Sequence, residues 1–124
     1  MTKETKSYID KPWGYEKLWA HTDKYVGKLL HIKPGNKLSR QYHEVKEETI
    51  YVLDGRLILE IGPCDNYETL VLPRTYTYHI PPGMIHRFCA GPNGMPVTLM
   101  EVSTPELNDV VRLEDNYNRV DAKE

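Results

Sequence analysis

Residues 35–55, GNKLSRQYHEVKEETIYVLDG, decide how this chain folds. Between their two glycines they predict two strands, Leu38–His43 and Thr49–Leu53. Successive side chains of a strand point to opposite faces, so Ser39, Gln41 and His43 share one face. Glu48 begins the next strand, which can lie beside the first. The stretch therefore predicts a cluster of polar side chains at one place in a sheet.

A second short pattern follows downstream. Residues 82–86, PGMIH, form a tight turn that ends in His86. Together with Gln41, His43 and Glu48, this histidine completes a set of two imidazoles, one carboxylate and one amide oxygen. Such a mixed set suits a divalent metal ion. One histidine on a strand is more often a packing or surface residue than a metal ligand. The inference of a metal site therefore depends on the two patterns, residues 35–55 and 82–86, occurring in the same chain.

The rest of the chain alternates short apolar segments with turns. The further predicted strands are Tyr25–Lys33, Arg56–Ile61, Tyr67–Leu72, Thr75–Ile80, His86–Ala90 and Val97–Ser103. Asp54-Gly55 is a strong hairpin signal between its two flanking strands. Only Glu106–Asn116 is compatible with a helical turn. Strands that recur about every ten residues predict a single all-β domain, a sandwich or a barrel.

The composition excludes several classes of protein. A chain of 124 residues with 40% hydrophobic and 27% charged residues predicts one globular domain. The net charge of −2 does not favour nucleic acid as a partner. We expect no membrane segment, because no apolar run approaches about 20 residues and Met1–Ile9 lacks a signal-peptide core. Cys64 and Cys89 are too few for a disulfide framework, so a cytoplasmic location is expected.

The glycine-framed stretch has a recognisable spacing. Its pattern is Gly-x5-Gln-x-His-x4-Glu-x6-Gly from Gly35 to Gly55, and it resembles the first motif of the cupin family, with Gln41 in place of that motif's first histidine. Pro82-Gly83-x-x-His86 resembles the second cupin motif. The resemblance implies a small antiparallel jelly-roll β-barrel with a metal ion inside its mouth.

A narrower resemblance spans nearly the whole chain. Four segments are similar to those of type II mannose-6-phosphate isomerases: Lys11–Glu16 (KPWGYE), Pro34–His43, Ile80–Arg87 and Asp109–Tyr117 (DVVRLEDNY). On this basis we expect a polar lead over residues 1–10, a cupin domain over 11–119 and a polar tail over 120–124. We also expect the cupin alone, without the sugar-nucleotide transferase domain that often precedes it.

The resemblance also implies roles for individual residues. Gln41, His43, Glu48 and His86 would bind one divalent metal ion, with zinc first and manganese, cobalt, nickel or iron as the alternatives. Ser39 would lie near the sugar, and Trp13 would either line the sugar pocket or anchor the core. Lys46 matches a basic position of the family, and Arg112 would bind the phosphate or polarise a carbonyl.

The implied activity is aldose–ketose isomerisation, with mannose 6-phosphate and fructose 6-phosphate as the lead pair. It needs a base at C2, an acid at the neighbouring carbon and a cationic clamp for the phosphate. Glu101 is the candidate base, although its strand pattern favours a solvated carboxylate. Lys28 is either an inward lysine or an edge charge, and Lys46 is equally compatible with an exposed position.

Two other functions stay open at the level of sequence. One is a cupin that binds a sugar or sugar nucleotide without turnover, and the other is a metal-dependent oxygenase or lyase. We expect a homodimer, since sheet edges and faces can be covered by pairing. The outward residues Arg40 and Tyr42 are its predicted contacts. Trp19 is predicted to anchor the core, while His21, His31 and His79 are expected to be surface or packing residues.

Overall fold

The fold is all-β, as predicted. A computed structural model describes residues 8–91 and 93–117 of the chain. Within these ranges the strands are β1 (Tyr8–Lys11), β2 (Gly14–His21), β3 (Val26–Ile32), β4 (Arg40–Tyr42), β5 (Glu48–Asp54), β6 (Arg56–Ile61), β7 (Glu68–Pro73), β8 (Thr77–Ile80), β9 (His86–Ala90), β10 (Val97–Ser103) and β11 (Val111–Glu114). Within these ranges there is no helix that could span a lipid bilayer.

The strands form two antiparallel sheets that face each other. One has six strands in the order β1-β2-β3-β10-β5-β8, and the other has five in the order β11-β4-β9-β6-β7. Leu30, Ile50 and Leu99 of the first sheet pack against Leu59 and Phe88 of the second. Inward apolar side chains alternate with outward polar ones, as expected when each sheet buries one face. The molecule is the small jelly roll that the sequence predicts.

The predicted hairpin at Asp54-Gly55 is wrong. Strand β5 pairs with β10 and β8, whereas β6 pairs with β7 and β9, so the two strands belong to different sheets. Gly55 lies in the short connection that carries the chain from one sheet to the other. It has φ 80°, and a Cβ atom there would lie 2.2 Å from the backbone oxygen of Pro96. The sequence predicts the tight turn correctly, but not the strands that it joins.

Replacing Gly55 with alanine is expected to lower the free energy of unfolding by about 3 kcal/mol, because strain at positive φ adds to a backbone clash. Gly35→Ala is the matched control, since Gly35 has φ 74° but a Cβ atom there would have no other atom within 4 Å. The control should lose about 1–2 kcal/mol. Urea denaturation of both variants measures the difference, and equal losses would contradict the role of the close approach to Pro96.

Two further predictions of local structure are wrong. Glu106–Asn116 contains the edge strand β11 instead of a helical turn. Strands β4 and β5 do not lie side by side, because β4 pairs with β9 and β11 in the other sheet. Glu48 therefore approaches His43 across the barrel and not along a shared sheet. Both errors concern pairing between distant segments, which a local pattern does not specify.

Two predicted positions also need correction. Trp19 is 48% exposed, and its ring lies over Gly27 on the outer face of the six-stranded sheet, so it is not a core anchor. Arg40 does point away from the barrel interior, but it is only 2% exposed. Its guanidinium pairs with Glu60 at 2.6 Å and with Glu114 at 2.8 Å. A side chain enclosed in this way is not accessible for the predicted dimer contact, whereas Tyr42 remains a prediction.

Strand β1 begins at Tyr8, three residues before the predicted start of the cupin domain. The rest of the predicted lead, residues 1–7, and the end of the chain from residue 118 lie outside the described residues. The domain boundaries therefore stay predictions.

Candidate functional site

A cavity of about 550 Å³ opens at one end of the barrel, between the two sheets. The lining residues are Ile9, Lys11, Trp13, Glu16, Leu18, Lys28, Leu30, Leu38, Ser39, Gln41, His43, Lys46, Glu48, Phe88, Glu101, Leu107, Asn108, Val110 and Arg112. Apolar and aromatic walls surround several charged groups. A cavity of this size can hold a small organic ligand.

Three predicted metal ligands meet beside the cavity, and two of them, His43 and Glu48, also line it. His43 follows β4, Glu48 begins β5 and His86 begins β9. The Nε2 atoms of both histidines lie 3.3 Å from Glu48 Oε2. The potential ligand atoms of all three residues lie within 4.8 Å of one another, and all three side chains are buried. The structure thus brings together residues from both sheets at one point.

Backbone carbonyls fix the orientation of both imidazoles. His43 Nδ1 donates to the carbonyl oxygen of Asp109 at 2.6 Å, and His86 Nδ1 donates to that of Met84 at 2.9 Å. A carbonyl only accepts, so each Nδ1 carries a proton, and in the neutral imidazole each Nε2 then presents its lone pair toward Glu48. This arrangement of the second nitrogen is typical of histidines that bind metals.

The inner atoms of this cluster are unsatisfied. Among the described residues, His43 Nε2, His86 Nε2 and Glu48 Oε2 are buried without a hydrogen-bond partner. Three electron-rich atoms so close together repel one another, and buried polar atoms are rarely left unpaired. A divalent cation would satisfy all three at once, and imidazole nitrogen with carboxylate oxygen is an ordinary donor set for such ions. The residues therefore fit a metal ion.

Gln41 lines the same cavity. It lies opposite His86 on β9 and opposite Arg112 on β11 in the register of the five-stranded sheet. Ser39 Oγ donates to Gln41 Oε1 at 2.7 Å, so the predicted common face of Ser39, Gln41 and His43 is confirmed. A carbonyl oxygen has two lone pairs, so Oε1 can accept this bond and still face an ion. The role of Gln41 as a fourth ligand stays a prediction.

Glu101 and Lys46 form a buried ion pair beside the cluster. Lys46 Nζ lies 3.2 Å from Glu101 Oε2 and 3.5 Å from Glu48 Oε1. Glu101 is only 3% exposed, so the expectation of a solvated carboxylate is wrong. Its strand β10 turns the face that carries Leu99, Glu101 and Ser103 toward the interior. Lys46 is 5% exposed, so the exposed position that the sequence allows for it is also excluded.

The charges of this group influence one another. Burial, together with the nearby charge of Glu48, raises the pKa of Glu101 to about 7. Burial alone would lower the pKa of Lys46, but the carboxylates of Glu101 and Glu48 outweigh it and raise that pKa. Burial would likewise raise the pKa of Glu48, but the hydrogen bonds that His43 and His86 donate when their imidazoles are protonated, together with the charge of Lys46, hold it well below its usual range. Such perturbed groups in a cleft are typical of functional sites.

Other cationic side chains line the wider part of the cavity. Lys28 faces inward, and its Nζ lies 3.3 Å from Glu16 Oε2, which decides between the two alternatives for this residue. Lys11 and Arg112 also line the wall. Trp13 lines the cavity and also belongs to the core, so it is a core anchor, and its contact with a sugar stays a prediction.

Sequence reasoning missed one residue with many contacts to the site. Asp109 accepts hydrogen bonds through its carboxylate from the backbone N–H groups of Glu44, Val45 and Lys46, at 2.9, 2.7 and 2.8 Å. In the sequence it stands out only as the first residue of the closing segment DVVRLEDNY. An aspartate that caps a distant turn leaves no local signal, because the turn lies more than 60 residues earlier in the chain.

The remaining histidines behave as expected. His31 stacks on Tyr15 and contacts the Thr98 hydroxyl at 2.9 Å, while His79 pairs with Glu47 at 2.6 Å. Neither histidine lines the cavity.

Comparison with known proteins supports one family. The family model described as "Mannose-6-phosphate isomerase C-terminal" matches residues 1–115. The chain is 36% identical over 116 residues to mannose-1-phosphate guanylyltransferase ManC of Salmonella typhimurium. It is 31% identical over 114 residues to xanthan biosynthesis protein XanB of Xanthomonas campestris pv. campestris. Each match covers 90% of this chain but only 23% of the relative, so the chain spans about a quarter of these proteins.

Solved structures support the fold. An RmlC-like cupin from Shewanella frigidimarina superimposes with a TM-score of 0.69, covering 87% of this chain and 91% of the other. The two sequences are 14% identical, so the likeness concerns the fold alone. The predicted cupin architecture is confirmed.

Proposed function

Because the chain belongs to the mannose-6-phosphate isomerase C-terminal family, we propose that it is a metal-dependent isomerase of a phosphorylated sugar. The lead reaction is the interconversion of mannose 6-phosphate and fructose 6-phosphate. The observation that carries the proposal is the buried pair of Glu101 and Lys46 beside the His43–Glu48–His86 cluster, at a cavity of about 550 Å³, a size that can hold a small organic ligand.

The proposed metal site uses residues that fit a cation. His43, Glu48 and His86 would hold one divalent ion with their unsatisfied atoms, and Gln41 would complete the set. Zinc is the first expectation, and manganese, cobalt, nickel and iron suit the same donors. A bound cation would supply stabilisation of the negative charge that develops on the sugar oxygens during enolisation.

Glu101 is the proposed base. It takes the proton from C2 of the aldose and returns it to C1, while the proton of the C2 hydroxyl passes to the C1 oxygen, so that the carbonyl moves from C1 to C2 without net gain or loss of protons. The ammonium group of Lys46 lies 3.2 Å from the carboxylate of Glu101 and orients it. Both side chains are withdrawn from bulk water, which strengthens their electrostatic interactions with a bound substrate.

The remaining cavity residues would bind the substrate. Arg112, with Lys11 and Lys28 on the opposite wall, offers cationic groups for a phosphate far from the reacting carbons. Ser39 and Trp13 would contact the sugar. A phosphate held in this way supplies binding energy that positions the reacting carbons.

A coupled assay tests the proposal. Metal-loaded protein should convert mannose 6-phosphate into fructose 6-phosphate, and it should exchange the C2 proton of the bound sugar with deuterium from the solvent. Binding of the sugar phosphate without turnover or exchange would instead indicate a binding protein. If the metal-loaded protein neither binds nor converts it, this substrate is rejected.

A second function uses the same three ligands. Two histidines and one carboxylate form the set that non-haem iron oxygenases use when other coordination positions stay open. Oxygen consumption by iron-loaded protein, with no isomerase activity, would favour that function over the proposed one.

A further inference from the structure

A short turn connects two of the proposed metal ligands. His43 follows β4 and Glu48 begins β5, so residues 44–47, which we call the ligand turn, join one to the other. Three of these four residues are exposed. An exposed turn has few apolar contacts to fix its shape, so its hydrogen bonds decide where the two ligands lie relative to each other.

The carboxylate of Asp109 binds three successive N–H groups of the ligand turn. Its Oδ1 accepts from the backbone of Glu44 at 2.9 Å, and its Oδ2 accepts from the backbones of Val45 and Lys46 at 2.7 and 2.8 Å. Successive N–H groups that point at one anion form a concavity that favours negative charge. Hydrogen bonds to an ionised acceptor are also stronger than neutral ones. One side chain thus fixes the shape of this part of the turn.

The backbone of Asp109 contacts the metal site directly. Its carbonyl oxygen accepts the Nδ1 proton of His43 at 2.6 Å. Any residue at position 109 offers a carbonyl, but that oxygen reaches the imidazole only while the segment lies against the ligand turn. The bonds of the carboxylate hold the segment there. They therefore support the orientation of the ring as well as the shape of the turn.

Other hydrogen bonds fix the surroundings of the ligand turn but not its first part. Glu47, next to Glu48, donates to the Thr104 hydroxyl at 3.0 Å and accepts from the Thr104 N–H at 3.0 Å. The carbonyl oxygen of His43 accepts from the N–H of Gly83 at 2.7 Å, which ties His43 to the turn that precedes His86. The position of this histidine pair relative to Glu48 therefore depends on residues 44–46, which Asp109 holds.

We infer that Asp109 is a positioning residue for the metal site, an inference that rests on the proposed metal-binding function. Through the ligand turn it sets the distance of 3.3 Å between His43 Nε2 and Glu48 Oε2. It also places the backbone of Lys46, whose Nζ lies 3.5 Å from Glu48 Oε1. Removing a residue that orients metal ligands typically weakens metal binding by about 10–100-fold.

Competition with a chromogenic zinc chelator tests this role. Asp109→Ala should bind zinc about 10–100-fold more weakly than wild type, because the ligand turn loses its anion. Asp109→Asn should fall between the two, because an amide keeps only one acceptor oxygen. Circular dichroism confirms that each variant is folded at the temperature of the measurement.

Thr22→Val is the matched control. The Thr22 hydroxyl accepts backbone hydrogen bonds from Lys24 and Tyr25, both at 3.1 Å, in the turn between β2 and β3. It therefore caps a turn as Asp109 does, but it does not line the cavity. Valine removes the acceptor and keeps a side chain of similar size. This variant should bind zinc as wild type does.

The melting temperature gives a second readout. Zinc should raise the melting temperature of wild type, because a ligand that binds only the folded state stabilises it according to its affinity. The rise should be smaller in Asp109→Ala and unchanged in Thr22→Val. A purely structural loss would instead lower the melting temperature of the metal-free protein and leave the rise as it is in wild type.

The outcomes separate this inference from the proposed function. If wild type binds no zinc, the proposed metal site fails, and the positioning role fails with it. If wild type binds zinc and Asp109→Ala binds it equally well, only the positioning role is overturned. Equal weakening of zinc binding in Thr22→Val would also overturn it, by showing a general effect of stability. If Asp109→Ala does not fold, Asp109→Asn decides, and wild-type affinity in that variant contradicts the role.

Discussion

His86→Ala is expected to leave the protein unable to retain a stoichiometric divalent metal ion and, as a consequence, unable to isomerise its substrate. His86 is fully buried, and its Nε2 lies 3.3 Å from Glu48 Oε2 with no other partner among the described residues. Removing it deletes one of the three convergent atoms that would bind the ion. We expect metal affinity to fall more than about 100-fold, beyond the effect of losing an orienting partner.

Metal content after dialysis measures this result. His43→Ala should behave in the same way, which provides a second variant if His86→Ala is unstable. His79→Ala is the matched control, because His79 also contacts a glutamate but lies exposed at the surface. A His86→Ala protein that keeps one metal ion per chain would contradict the assignment of the site. So would a His79→Ala protein that loses its metal.

Glu101→Gln is expected to lower kcat about 1,000-fold while metal and substrate still bind. The amide has nearly the same size and can remain beside Lys46, but it does not accept the proton from C2. Removal of a positioned base typically reduces the rate by about 100–10,000-fold. The exchange of the C2 proton with deuterated water should fall in parallel, since it reports the same proton transfer.

Glu16→Gln is the matched control for Glu101. Glu16 is also a carboxylate that lines the cavity and pairs with a lysine, at 3.3 Å, but it lies on β2 next to Lys28 and away from the metal cluster. We expect a modest change in KM and an almost unchanged kcat. If Glu101→Gln retained kcat and deuterium exchange, the base would have to be another residue. If metal content fell as well, Glu101 would instead support the metal site.

The cluster of His43, Glu48 and His86 was predictable because its spacing is local. The pattern from Gly35 to Gly55, with the turn that ends at His86, is sufficient to predict His43, Glu48 and His86, and the structure brings them together. The inward position of Glu101 was harder to predict from the sequence. The strand pattern groups it correctly with Leu99 and Ser103, but a glutamate among exposed strand residues is much commoner than one buried beside a lysine.

Prediction from sequence was wrong wherever the result depends on which strands pair. Asp54-Gly55 has the composition of a hairpin turn, yet its strands separate into two sheets. Arg40 lies on the outward face of β4 as predicted, but its enclosure by Glu60 and Glu114 depends on strands that lie far away in the sequence. Arg40 is therefore excluded as an interface contact, whereas Tyr42 stays a prediction.

The sequence by itself determined that the chain is all-β, that it resembles the cupins and which residues alternate on each strand. Side chains along a strand alternate between its two faces with a period of two residues, which fixes the faces on which neighbouring residues lie. Only the tertiary structure decided that His43 and His86 of one sheet meet Glu48 of the other. It also decided that Glu101 and Lys46 are buried together. The hydrogen bonds of Asp109 to the turn at residues 44–46 are likewise a result of the tertiary structure. These contacts join segments tens of residues apart, and their geometry follows from how the two sheets pair and pack.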